Sequence, residues 1–256
     1  MYNSARKKWN WTNHITPITV VLLLGTVGVW FAMVLQAQTM GTMPGTMGMS
    51  LAAFGVMWGL MMAAMMLPSV APLASRYVQM IDTHKWVGLI TFVTGYFVVW
   101  IATGVIAYVL AWFSGKLAND FPTLAMAVAV VTYAVCGFYQ FSPLKDQCLA
   151  KCRAPFSLLL EYASWRGQSR HFRVGVHHGI FCLGCCWAFM VLMIIFGVMN
   201  IGAMLVLTIV ITVEKLWVTN QTFSRIVGFI CFALAIAVIW FPQLAPGLIT
   251  NSNMAM

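Results

Sequence analysis

Seven stretches of this chain, near residues 15–35, 51–74, 86–113, 122–141, 174–197, 199–218 and 224–241, have about the length of an apolar helix that crosses a hydrocarbon core, and hardly a charge lies within them. Nothing else constrains the fold as much. With no water to bond the backbone inside lipid, such runs become helices whose hydrogen bonds are internal. Composition agrees: 62% of the residues are hydrophobic and 7% charged, where a soluble domain carries about a quarter charged residues. The expectation is an all-α fold, a polytopic transmembrane helix bundle of about seven spans in a single domain, 1–256. The break between the fifth and sixth spans is marked only by Val198, Met199 and Asn200.

Basic residues orient this bundle. With the N-terminus in the cytoplasm, Arg6, Lys7, Lys8, Arg76, Lys85, Lys145, Lys151, Arg153, Arg166, Arg170, Arg173, Lys215 and Arg225 all fall inside, and only Lys116 falls outside. The C-terminus is then outside. The first apolar run is longer than a signal-peptide core and no small-x-small cleavage site follows it, so it reads as a span. Topology accounts for the formal charge of +9, and without a basic patch interleaved with polar surface the expected partners are the lipid bilayer and proteins, with no nucleic acid.

Inside the fifth span, His177-His178-Gly179-Ile180-Phe181-Cys182-Leu183-Gly184-Cys185-Cys186-Trp187 concentrates two histidines and three cysteines. At 3.6 residues per turn, His178, Cys182 and Cys185 share a helical face, and Cys186 sits one turn beyond Cys182. Thiolate and imidazole are soft to borderline ligands, suited to Cu(I) or Zn(II). All seven cysteines fall in the inner half of the bundle or in the cytoplasmic loop 142–173, where thiols stay reduced, so structural disulfides are not expected. In that loop Ser142-Pro143 starts a helix that sets Cys148 and Cys152 one turn apart. The surrounding Lys145, Lys151 and Arg153 should favour thiolate over thiol. A second helix after Pro155 should lie in the inner interface until Gly167 stops it. Cys136 and Cys231 should reach a depth comparable to Cys182.

Methionines line the other end. The outer loop 36–50 carries Met40, Met43, Met47 and Met49 among Gly, Thr and Pro, and the second span continues with a Met57, Met61, Met65 stripe flanked by Met62 and Met66. Thioethers are soft neutral ligands suited to Cu(I), although a methionine stripe also fills irregular core gaps. Pro68 and Pro72 should kink the inner end of that span. Glu214, beside Lys215 at the inner end of the sixth span, is an acid at membrane depth that descends to the level of His177 and His178; it could orient a ligating imidazole as an outer partner or pair with a basic residue.

No nucleophile triad, phosphate loop, HExxH pattern or paired carboxylates are present, so no independent catalytic activity is expected. Met61-Met62-Ala63-Ala64-Met65-Met66-Leu67-Pro68, Tyr139-Gln140-Phe141-Ser142-Pro143-Leu144-Lys145 leading to Cys148, Cys152 and Arg153, Cys182-Leu183-Gly184-Cys185-Cys186-Trp187, Gly197-Val198-Met199-Asn200 and Glu214-Lys215 resemble a bacterial family of predicted metal-binding integral membrane proteins of unknown function. The resemblance implies a multi-pass protein of the bacterial inner (cytoplasmic) membrane that binds metal.

Together these readings point to soft-metal handling, with copper as Cu(I) taken up by outer methionines and held more tightly by Cys182, Cys185, Cys186 and His178. Zinc is the alternative cofactor, but it leaves the methionines unexplained. Two other readings stay open: a membrane thiol-redox protein, and an accessory or assembly subunit of a larger copper-containing complex. The corresponding partners are a copper chaperone or a membrane oxidoreductase complex.

Overall fold

A computed structural model describes residues 17–40, 45–81, 84–153, 155–165, 167, 169–216 and 221–248, the side chains of 39–40 and 155–159 excepted. Arg6, Lys7, Lys8, Met43, Arg166, the side chain of Met40 and everything after residue 248 lie outside the described residues. Within them the chain is all α: α1 Pro17–Met40, α2 Leu51–Gln79, α3 Lys85–Asp120, α4 Pro122–Gln140, α5 Pro143–Arg153, α6 Pro155–Ser164, α7 Arg170–Ile195, α8 Ile201–Leu216 and α9 Thr222–Trp240. Two short 3-10 turns, Pro242–Leu244 and Pro246–Leu248, follow.

Six of these helices, α1, α2, α3, α4, α7 and α9, are long and apolar enough to cross a membrane. The remaining expected span, α8, has 16 residues and rises only ~24 Å, short of a ~30 Å hydrocarbon core. Its last turn holds Glu214 and Lys215, both buried. Large apolar side chains such as Leu24, Phe31, Ile106, Phe229 and Trp240 cover the outer faces of α1, α3 and α9, the distribution a lipid-facing surface requires.

Local chemistry sets the helix ends. Ser50 Oγ accepts from Ala53 N at 3.3 Å to cap α2, and α4 starts on Pro122, whose missing N–H costs nothing at a first-turn position. The expected loop 142–173 is two helices. Asp146 in the first turn and Lys151 and Arg153 in the last complement the dipole of α5, and Gly167 takes φ 105° soon after α6 ends.

α2 continues unbroken through Pro68 and Pro72 as one 29-residue helix. A proline at 68 leaves the Ala64 carbonyl without its helical donor, and the indole Nε1 of Trp30 on α1 donates to that oxygen at 3.0 Å. The neighbouring helix thus supplies the bond the proline removes.

α3 and α7 run side by side in the same direction, with Phe92 beside Gly175 and Tyr96 beside Gly179. A Cβ at Gly175 would overlap the Phe92 carbonyl, and one at Gly95 the Phe172 carbonyl, so the close approach depends on bare backbone at both positions. α4 and α9 pair in opposite directions, and the C-terminal turns close the end of the bundle where Tyr133 Oη donates to Leu244 O at 2.7 Å. This arrangement leaves α7 at the centre, flanked by α3, α4, α5 and α8.

Candidate metal centre

Cys182, Cys185 and Cys186 are all buried on the inward face of α7, as helical periodicity predicts. Cys182 is the hub. Its Sγ lies 2.8 Å from Lys215 Nζ on α8, 2.9 Å from Tyr96 Oη on α3 and 3.9 Å from Met66 Sδ on α2. Four helices therefore converge on one sulfur, with a cation, a hydroxyl and a thioether around it.

α5 brings the second set of thiols. Cys152 Sγ is 3.9 Å from Cys185 Sγ, and Cys148 Sγ sits 2.6 Å from where a Cβ on Gly184 would be, so the glycine inside the Cys-Leu-Gly-Cys-Cys run is the seat on which α5 rests. Arg153 Nε donates to Glu214 O at 2.9 Å, tying the end of α5 to α8. Both Cys185 and Cys186 turn their thiols back to the Cys182 carbonyl, at 3.1 and 2.7 Å. Among the described residues no three His, Cys, Asp or Glu side chains converge closely enough to hold a metal ion; the soft donors stand in pairs.

Charge is arranged around the thiols rather than on them alone. Glu214 Oε1 takes the ammonium of Lys145 at 2.7 Å and the hydroxyl of Ser224 at 2.6 Å, all three groups buried, and Lys145 also donates to Gln140 Oε1. The carboxylate that could have oriented an imidazole is thus directed to Lys145 and Ser224. Lys145 in turn faces Glu214 rather than the α5 cysteines, and burial pushes the Cys148 thiol up, so the thiolate preference expected from the nearby basic residues is opposed there. Burial also lowers the Arg153 guanidinium from its ordinary value.

The two histidines separate. His178 is buried and stacks on the Tyr96 ring at 5.9 Å, with its Nδ1 lacking a hydrogen-bond partner. His177 faces α6, where its Nδ1 meets Tyr162 Oη at 3.1 Å and its ring packs on Trp165 and Phe181. Met61 and Met65 are fully buried, but it is Met66 on the adjoining stripe that reaches a cysteine. Met47 and Met49, just before α2, are half-buried and pack against the core; Met43 and the side chain of Met40 are outside the described residues. Cys136 and Cys231 meet each other, at 3.7 Å between sulfurs.

Sequence reasoning overlooked Tyr96 and Lys215 as neighbours of the thiols. A tyrosine in an apolar span reads as packing, and a lysine at a span's inner end reads as a topology marker. The one available signal was the unusual Glu-Lys pair itself.

A family model described as a copper chaperone, PpoB2, matches residues 55–238. No curated protein and no solved structure matches the chain. The matched region takes in α2 to α9 almost entirely, and with it every cysteine and Glu214 and Lys215. The chain belongs to this copper chaperone family.

Proposed function

We propose that this chain is an integral membrane protein that binds Cu(I) as cargo, for handling or delivery to a client, at a centre built from Cys182, Cys185 and Cys152, with Met66, Cys186, Cys148 and His178 within the same region. The observation that carries the reading is the convergence on Cys182 of a thioether, an ammonium and a hydroxyl from three other helices. Thiolate and thioether together select a soft monovalent ion, and Met66 beside Cys182 favours copper over zinc, which gains little from thioether sulfur.

A thiolate–metal bond is ~2.3 Å long, so one ion can bridge two sulfurs about 4 Å apart, as in the Cys152–Cys185 and Cys182–Met66 pairs. Loading the centre requires Cys185 and Cys186 to turn their thiols from the Cys182 carbonyl toward the ion. Lys215 then offsets the excess negative charge of several thiolates around a single positive ion. Seven spans in the bacterial inner membrane, the N-terminus inside and the C-terminus outside, with α8 as a short span, agree with the basic-residue distribution. In that orientation the sequence segment that carries Met40, Met43, Met47 and Met49 belongs to the outer side. They would form a weak thioether entry, feeding past Met61 and Met65 to the tighter thiolates.

Elemental analysis of protein purified under reducing conditions tests this. Copper is expected with the wild type and is expected to fall sharply in the Cys182→Ser/Cys185→Ser/Cys186→Ser variant. Absence of copper from the wild type after incubation with Cu(I) sinks the proposal, and zinc in its place turns it toward a zinc protein.

A further inference from the structure

The thiol pair on α4 and α9 has no part in the centre just described. Cys136 and Cys231, 1% and 4% exposed, hold their sulfurs 3.7 Å apart at the contact of the two helices, among apolar side chains, glycines and Gln140. The glycines set that distance. A Cβ at Gly137 would press on the Phe232 ring at 2.7 Å, and one at Gly228 on Gln140 and Phe141, so the two helices approach closely just where the thiols face each other.

We propose that Cys136 and Cys231 form a second soft-metal site, separate from the Cys182 centre, taking a single Cu(I)-class ion between two thiolates. Two metal–thiolate bonds of ~2.3 Å reach ~4.6 Å from sulfur to sulfur when in line, so thiols that start 3.7 Å apart need to part by less than ~1 Å to hold the ion between them. Gln140, one turn from Cys136, stands beside the pair with its Nε2 3.8 Å from Cys136 Sγ, and its Oε1 is held by Lys145. The buried Lys145 thereby brings positive charge toward a site whose occupied form carries net negative charge. Lys145 is in turn paired with Glu214, and the next residue, Lys215, contacts Cys182. The Glu214-Lys215 pair thus touches the surroundings of both thiol centres. This inference rests on the soft-metal reading above and adds to it a second ligand set.

Full-length protein in detergent is titrated anaerobically with Cu(I) held by a chromophoric chelator strong enough to strip thioethers. Wild type is expected to hold about two ions per chain, and Cys136→Ala or Cys231→Ala, either one alone, to lower uptake by about one while the Cys182 centre still fills. The Cys152→Ser/Cys182→Ser/Cys185→Ser/Cys186→Ser protein leaves α4 and α9 untouched. It is expected to keep about one ion and to melt at a higher temperature with Cu(I) than without. Uptake unchanged in both alanine variants, or no Cu(I)-dependent rise in melting temperature for the quadruple variant, overturns the second site and leaves the first standing. A disulfide joining Cys136 and Cys231 in metal-free protein, seen as a two-hydrogen mass loss in the linked peptides, also overturns it, in favour of a redox pair. A wild type that takes up no Cu(I) removes the soft-metal reading altogether.

Discussion

Lys215 Nζ lies 2.8 Å from Cys182 Sγ, a buried cation against a buried thiol, while the nearest acid in sequence, Glu214, is directed to Lys145. Lys215 is therefore left to serve the thiols. Replacing it by methionine keeps the length of the side chain and removes the charge. A charge-assisted hydrogen bond contributes ~1.5–3 kcal/mol, which is roughly a tenfold to hundredfold weakening of Cu(I) retention. Chelator competition on Lys215→Met reads this directly; affinity equal to wild type means the cation does not support the loaded state.

Met66 separates copper from zinc. Met66→Leu conserves volume in a packed helix and removes only the thioether 3.9 Å from Cys182. Cu(I) affinity is expected to fall about tenfold, with Zn(II) affinity unchanged, because zinc draws on thiolate and imidazole instead. Parallel titrations with the two metals give the comparison, and an equal loss for both contradicts a role specific to the soft ion.

Lys145 and Glu214 form an ion pair with both partners almost wholly buried. Truncating one partner strands the other's charge, at a cost of ~3–5 kcal/mol, whereas replacing both with apolar residues is often nearly neutral. Lys145→Met should lower the melting temperature in detergent markedly, and Lys145→Met/Glu214→Leu should recover much of the loss. A double variant less stable than the single one would mean that the Ser224 contact to Glu214 matters more than the charge balance.

The helices themselves were legible because hydropathy and length are local properties of the chain. α1, α2, α3, α4, α7 and α9 follow their apolar runs, and α7 turns Cys182, Cys185 and Cys186 inward as a period of 3.6 requires. What could not be read was anything set by which helix meets which. The C-terminal end of α8 reads in the sequence as an interface because Glu214 and Lys215 are charged, yet both are buried by partners on other helices, α5, α7 and α9. His177 and His178 are adjacent in sequence, but the 100° turn between neighbours sends one to the α6 aromatics and the other against Tyr96. Periodicity placed Met61 and Met65 on one stripe without saying that the adjoining stripe, through Met66, would face the cysteines.

Pro68 offers a test of the bundle that involves no metal. Its ring deprives Ala64 O of the usual helical donor, and Trp30 Nε1 fills the gap from α1 at 3.0 Å. Trp30→Phe retains most of the aromatic packing but leaves the Ala64 carbonyl unpaired in the contact of α1 with α2, at a cost of ~1–3 kcal/mol. Pro68→Ala restores an N–H within reach of Ala64 O, so in the Trp30→Phe background it should return much of the lost stability, while in the wild type it should change little. The double-mutant cycle, followed by thermal melting in detergent, isolates this hydrogen bond from the packing of the indole. If the two substitutions add without coupling, then Trp30 holds α1 to α2 by its bulk alone and the proline is tolerated for some other reason.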